Sequence, residues 1–193
     1  MVLGPVNDGR VMRHTLLSRV KARIATPADA CLAARMLLWA CCLPVLKHVV
    51  QLRALVRLVR KAGYAGTRAP IREEQIITLG RWSARLTKSS SRGNCLERAL
   101  LLYRFLGAAN AQPSLVVGFG WSPHGEVRGH AWVVVDGCPV GESSASLAEF
   151  ESALVFGPDG RPFEQSAAFT HMMPRLCAVQ PGADRRARLS EPA

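Results

Sequence analysis

The chain is short of acid. Its 14 Asp and Glu stand against 25 Lys and Arg, and most of the resulting +11 charge is arginine. Such a surface repels cationic partners and favours an acidic one, whether nucleic acid, anionic lipid or acidic peptide, although the same charge also serves solubility alone. A cysteine framework is missing as well. The six cysteines, at 31, 41, 42, 95, 138 and 177, form neither a CxxC pair nor a disulfide-like ladder, and two are adjacent. That usage fits a reducing cytoplasm, and the absent ligand spacing disfavours a Cys/His zinc site. No secretory signal is expected, because 1-MVLGPVNDGRVMRH-14 has no apolar core and Asp8 and Arg10 interrupt it early. The one membrane-like stretch, 36-MLLWACCLPVL-46, is uncharged for 11 residues and contains Pro44. A spanning helix needs ~20 apolar residues, so this segment reads as a buried helix and no membrane span is expected. No internal repeat is present.

What remains is a folding composition. With 193 residues, 49% hydrophobic and 20% charged, the chain supports one domain with a core and a small helical appendage. Residues 1 to 13 read as a loose start. At 26-TPAD-29, Thr26 can cap a helix, Pro27 takes the first helical position and Asp29 supplies a capping-box acid. That helix should run toward Leu43, with Pro44 as a kink or break. The run 45-VLKHVVQLRALVRLVRKAG-63 has helical apolar spacing with Lys and Arg between, and Gly63 is a stop. After the joint 63-GYAGTRAP-70, the spacing predicts a third helix from Ile71 to about Leu86, interrupted in character by Gly80. The polar stretch 87-TKSSSRGN-94 is a loop, and a fourth helix opens at Cys95.

From Ser114 the period changes. Segments 114-SLVVGFGW-121 and 129-GHAWVVVDG-137 are strand-like, with Asp136-Gly137 as a turn before a third strand around 138-CPVGES-143. Residues 147 to 156 suit a short helix or an edge segment, 157-GPDGRP-162 is a turn, and 180 to 193 read as a disordered basic tail. Helices first and an antiparallel sheet after them define the α+β class. The expected organisation is a helical region at 1–66, a core at 67–179 and the tail at 180–193.

The stretch 92-RGNCLERALLLYRFLG-107 concentrates the chemistry. Asn94 is a favoured N-cap and Glu97 completes a capping-box pattern, so Cys95 becomes the first helical residue. Unpaired N–H groups and the helix dipole there stabilise a thiolate, and the same groups can hold the oxyanion formed when it attacks a carbonyl. Asn94 and Cys95 are thus the candidates for oxyanion and cap support. A buried, inert thiol is the alternative, and it is the reading adopted for Cys31, Cys41, Cys42 and Cys177. Cys138, beside the turn, is also taken as structural.

Among the five histidines, His14 and His48 fall in the helical part, His124 in a turn and His171 near the end. His130 starts the most strand-like segment, which would hold it rigidly enough for a general base. A satisfied, half-buried histidine is the competing reading. Asp136 and Glu142 compete for the carboxylate that would orient it. Asp136 falls at the far end of the strand, about 20 Å from His130 by strand rise. Glu142 lies on the returning strand. A two-residue Asp136-Gly137 loop would set Glu142 opposite Ala131, on the wrong face, whereas a three-residue bulged loop through Cys138 would pair Trp132 with Glu142 and bring the acid to the face of His130. A bulged loop is therefore expected if the three residues act together.

The pattern Cys95-Leu-Glu-Arg-Ala-Leu, then Gly-His130-Ala-Trp-Val-Val-Val-Asp-Gly, then an acid 12 residues after the histidine resembles the lasso peptide biosynthesis B proteins. These are transglutaminase-like cysteine proteases that remove the leader from a ribosomally made lasso precursor. The resemblance covers about residues 70 to 145 and implies a transglutaminase/papain-like core carrying a helical N-terminal part. It implies Cys95 as nucleophile, His130 as base and Glu142 as orienting carboxylate, where the family usually has aspartate. It implies no cofactor and no metal. No winged-helix-like recognition module is read in residues 1 to 66, so the chain resembles the protease half of a split system. Such a half works on a precursor peptide with a separate leader-recognition protein and an ATP-dependent lasso cyclase, in the cytoplasm and without nucleic acid. The competing readings are a transglutaminase-type acyltransferase using the same thiol, and a basic nucleic-acid-binding or scaffold protein indifferent to Cys95.

Overall fold

The computed structural model describes residues 26–61, 73–86, 94–122 and 124–163. The loose start at 1–13, the joint at 63–70, the loop at 87–93 and the tail at 180–193, with His14, His171 and Cys177, lie outside the described residues. The chain divides into two compact units, Met1–Arg35 and Met36–Ala193. The second holds the sheet and every candidate site residue.

Helix α1 (Pro27–Val49) starts in the first unit on the capping box read from the sequence. Thr26 N–H donates to Asp29 Oδ2 at 2.9 Å, and Asp29 N–H returns a bond to Thr26 Oγ1 at 3.2 Å. The helix does not break at Pro44 as expected. Met36, Ala40 and Leu43 are buried at helical spacing, and that packing carries the helix through the lost hydrogen bond to its end at Val49. The interruption falls instead at Val50 and Gln51, before α2 (Leu52–Lys61). The longer α1 has 23 residues and a mean hydropathy of 1.6 over its most apolar window. By length and composition it could cross a membrane, and it is not the buried helix expected: only 22% of that window is buried, with Leu38 and Val45 each 64% exposed.

Helix α3 (Glu73–Leu86) and α2 both pack against α4 (Cys95–Ala108), which in turn lies on the sheet. Nearly every side chain of α4 from Ala99 to Gly107 is buried, the pattern of a helix enclosed on all sides. Gly80 is explained by this packing. A Cβ there would come within 2.7 Å of Leu102 Cδ2, so its absence lets α3 approach α4 closely. The buried Arg104 guanidinium stacks 4.0 Å over Trp39 of α1 and donates to the Val59 carbonyl of α2 at 3.0 Å.

Five antiparallel strands form one sheet in the order β3-β2-β1-β4-β5: β1 (Pro113–Trp121), β2 (Val127–Val135), β3 (Cys138–Pro139), β4 (Glu151–Phe156) and β5 (Pro162–Phe163). The segment 147–156, read as helix or edge, supplies the end of a short helix α5 (Ser144–Leu147) and then β4, which pairs with β1 and β5 and is no edge. The end of β2, Ala-Trp-Val-Val-Val, is buried throughout. It packs against α4, while Trp132 and Val134 join a cluster with Val116, Leu147, Phe150 and Val155. Helices and a five-stranded antiparallel sheet make the fold α+β.

The β2–β3 connection corrects the expected register. Val135 pairs with Cys138 and Val134 with Pro139, so the loop is the two-residue Asp136-Gly137 turn and not the bulged one. Asp136 at φ 51° and Gly137 at φ 78° are both left-handed, as a type I′ hairpin turn requires. The last rung is Val140 N–H to the Val133 carbonyl at 2.8 Å. Gly141, at φ 74°, then turns the chain out of the ladder.

Candidate active site

The early end of β3 shapes the site. Within an antiparallel strand, alternate residues direct their N–H and C=O groups to the same neighbour. Val133 faces β3, so Ala131 does too, but β3 has already left. The vacant edge position beside Ala131 is taken by Cys95, whose sulfur is hydrogen-bonded by the Ala131 backbone and by that of Leu96. Glu142, released from pairing by Gly141, is free to approach His130 in a way that the ladder would forbid. Glu142 reaches His130 despite the two-residue turn because β3 ends before residue 142.

His130 Nε2 lies 2.6 Å from Glu142 Oε2. The remaining ring nitrogen, Nδ1, is left for the hydrogen bond that His130 also makes with Cys95. The imidazole stacks against Phe150, with centroids 5.0 Å apart, and Trp132, 5.9 Å apart. Those rings fix its plane. Directly opposite His130 on β1 is Gly118, where a Cβ would meet Trp132 Cη2 at 3.0 Å and the Glu151 carbonyl at 2.5 Å. Glycine there admits the tryptophan ring.

Protonation follows from this arrangement. Burial pushes the Cys95 thiol up, but hydrogen bonding and charge from His130, with the Ala131 and Leu96 backbone, outweigh it and hold the thiol below its ordinary 9.0. Hydrogen bonds from His130 to Cys95 and to Glu142 oppose burial and raise its pKa from 6.5 to about 9. Both shifts favour a thiolate–imidazolium pair over the neutral pair, and the thiolate is the form in which a cysteine attacks carbonyl carbon.

The structure thus brings together Cys95, His130 and Glu142. Asp136 stays in the hairpin turn at the other end of β2, consistent with its reading as turn chemistry. Asn94 departs from expectation: it is the N-cap residue of α4 but makes no side-chain cap, at φ −124° and ψ 35°. Its carbonyl accepts from Arg98 N–H at 3.0 Å. The capping box is incomplete because Glu97 turns to Lys47 of α1, at 2.5 Å. Cys31, Cys41 and Cys42 are exposed on α1, so burial does not account for them; Cys138 is buried in the hairpin.

Arg98 was overlooked. Its guanidinium donates to Glu142 Oε1, so the carboxylate is held between a guanidinium and the imidazole. The available signal was its spacing: three residues after Cys95 on a helix is the same face. Phe150 carried no comparable signal, since only the turn after α5 brings it to His130.

A family model described as the transglutaminase-like superfamily matches residues 37–155, and the chain belongs to that superfamily. No curated protein and no solved structure matches significantly. Membership puts the chain among thiol proteases and acyltransferases, and the matched span includes Cys95, His130 and Glu142.

Proposed function

We propose that this protein is the leader peptidase of a lasso peptide pathway, with Cys95 as nucleophile, His130 as base and acid, and Glu142 as the carboxylate that orients it. The observation that carries the catalytic part is the linked set Cys95–His130–Glu142 at the vacated edge of β2. The substrate rests on the resemblance of the Cys-Leu-x-Arg and His-Ala-Trp-Val motifs to the lasso B proteins.

In this reading, the Cys95 thiolate forms a bond to the carbonyl carbon between leader and core. First-turn N–H groups of α4 other than that of Leu96, which serves the sulfur, are left to stabilise the developing oxyanion. As the C–N bond breaks, the His130 imidazolium gives its proton to the core amine, which leaves ready for macrocyclisation by an ATP-dependent cyclase. Neutral His130 then takes a proton from water, whose oxygen attacks the thioester, and the thiolate departs. Glu142 keeps Nε2–H pointed away from sulfur throughout. A separate leader-recognition protein would deliver the precursor.

Mass spectrometry of a precursor peptide encoded beside this chain tests the reading. The precursor is incubated with the recognition partner and either the parent protein or Cys95→Ala. Leader release by the parent alone is expected. Release by both would remove Cys95 from the mechanism, and transfer of the leader acyl group to an added amine in preference to water would make the enzyme an acyltransferase.

A further inference from the structure

At the opposite edge of the sheet from Cys95 there is a cavity of about 810 Å³ lined by Arg57, Arg60, Lys61, Asp159, Arg161 and Pro162. Four cationic side chains face one carboxylate. Two elements build it, the second half of α2 and the turn between β4 and β5. Gly160, at φ 79°, supplies the left-handed step by which the turn meets the helix, 3.7 Å from Arg57 Cα and Arg60 Cβ at the position a Cβ would take.

Basic residues in the last turn of a helix complement its dipole, which accounts for Arg60 and Lys61. That does not account for the others. Arg57 lies a turn earlier, and Arg161 arrives from a distant part of the sequence. Bringing like charges together costs electrostatic energy unless an anion joins them. Asp159 offsets one charge, lying 3.4 Å from Arg161 Nε. Arg60 is held in place, 5% exposed, with its guanidinium 5.9 Å over the Tyr103 ring and packed against Gly107, where any Cβ would collide with it. Arg57 and Lys61 are exposed and available to a ligand.

We propose that this cavity binds an acidic peptide segment, a stretch of polypeptide bearing several carboxylates. One feature favours peptide over nucleic acid: none of the lining residues is aromatic, so a base would find no aromatic stacking surface there. The proposal goes beyond the peptidase reading and does not depend on it, because binding is read without cleavage.

Fluorescence anisotropy on the full chain tests it, using a labelled Glu-rich peptide and its Gln counterpart at physiological salt. The Glu peptide should bind and the Gln peptide should not. The double variant Arg57→Gln/Arg161→Gln should weaken binding about tenfold. Arg53→Gln/Arg128→Gln removes the same charge at exposed positions outside the cavity and should stay within about twofold. Equal losses from both pairs would reduce the effect to the general field of the protein and overturn the proposal. So would an oligothymidylate or inorganic phosphate that binds more tightly than the peptide and depends on Arg57 and Arg161.

Discussion

Glu142 reaches His130 Nε2 at 2.6 Å from a position outside the β2–β3 ladder. Had β3 continued for three more residues, the same glutamate would have paired across from Ala131 and faced away. The left-handed Gly141 therefore does two things at once: it lets Glu142 approach the imidazole and it leaves the Ala131 N–H to the Cys95 sulfur.

Below pH 9, Cys95 should alkylate faster than an ordinary thiol. Its pKa lies below 9.0, so reaction with iodoacetamide should persist as pH falls through the range where a free thiol goes silent. In His130→Ala the largest lowering influence is gone and burial then dominates, so the rate at pH 7 should collapse. A pH series of alkylation rates followed by mass spectrometry reads this. An unchanged profile in His130→Ala would show that the two side chains are not coupled.

The pH profile of kcat/KM should have an alkaline limb near 9, where His130 loses its proton and with it the means to protonate the leaving amine. Glu142 raises that pKa by hydrogen bond and charge, so in Glu142→Gln the limb should move toward 6.5. Activity should also fall about 10²- to 10⁴-fold as the ring loses its orientation. Glu142→Asp, one methylene shorter, should lie between the two.

Arg98→Ala should lower kcat/KM about tenfold by freeing the second oxygen of Glu142, with Arg98→Lys partly restoring it. The Arg98 side chain is 27% exposed, so thermal stability should change little. A large drop in Tm with proportional loss of activity would instead make Arg98 a purely structural residue.

Gly141→Ala should cost about 1–2 kcal/mol from the left-handed backbone alone. The space is adequate, since a Cβ would lie 3.7 Å from Ile77 Cγ2, so the cost is conformational. Activity should fall by more than stability explains, because relaxing φ returns the chain toward the ladder and draws Glu142 from His130. Chemical denaturation paired with alkylation kinetics separates the two effects.

Much of this was legible from residue patterns. The Thr26–Asp29 capping box, the shift from helical to strand period and the position, though not the length, of the turn at Asp136-Gly137 depend on neighbours within a few residues, where local stereochemistry decides. Cys95 and His130 were legible for the same reason: one opens a helix and the other begins an apolar strand.

The rest depended on contacts between distant segments. Pro44 did not stop α1, because the burial of Met36, Ala40 and Leu43 offsets one missing hydrogen bond. Glu97 abandoned its cap for Lys47, a residue 50 positions away. The sequence by itself determined the α+β class, the helix-initial cysteine and the rigidly held histidine, since periodicity and capping are local. Only the tertiary structure decided how the site closes: where β3 leaves β2, that Arg98 takes the free oxygen of Glu142, and that Phe150 stacks on His130. These outcomes turn on backbone departure and packing in three dimensions, which no spacing along the chain encodes.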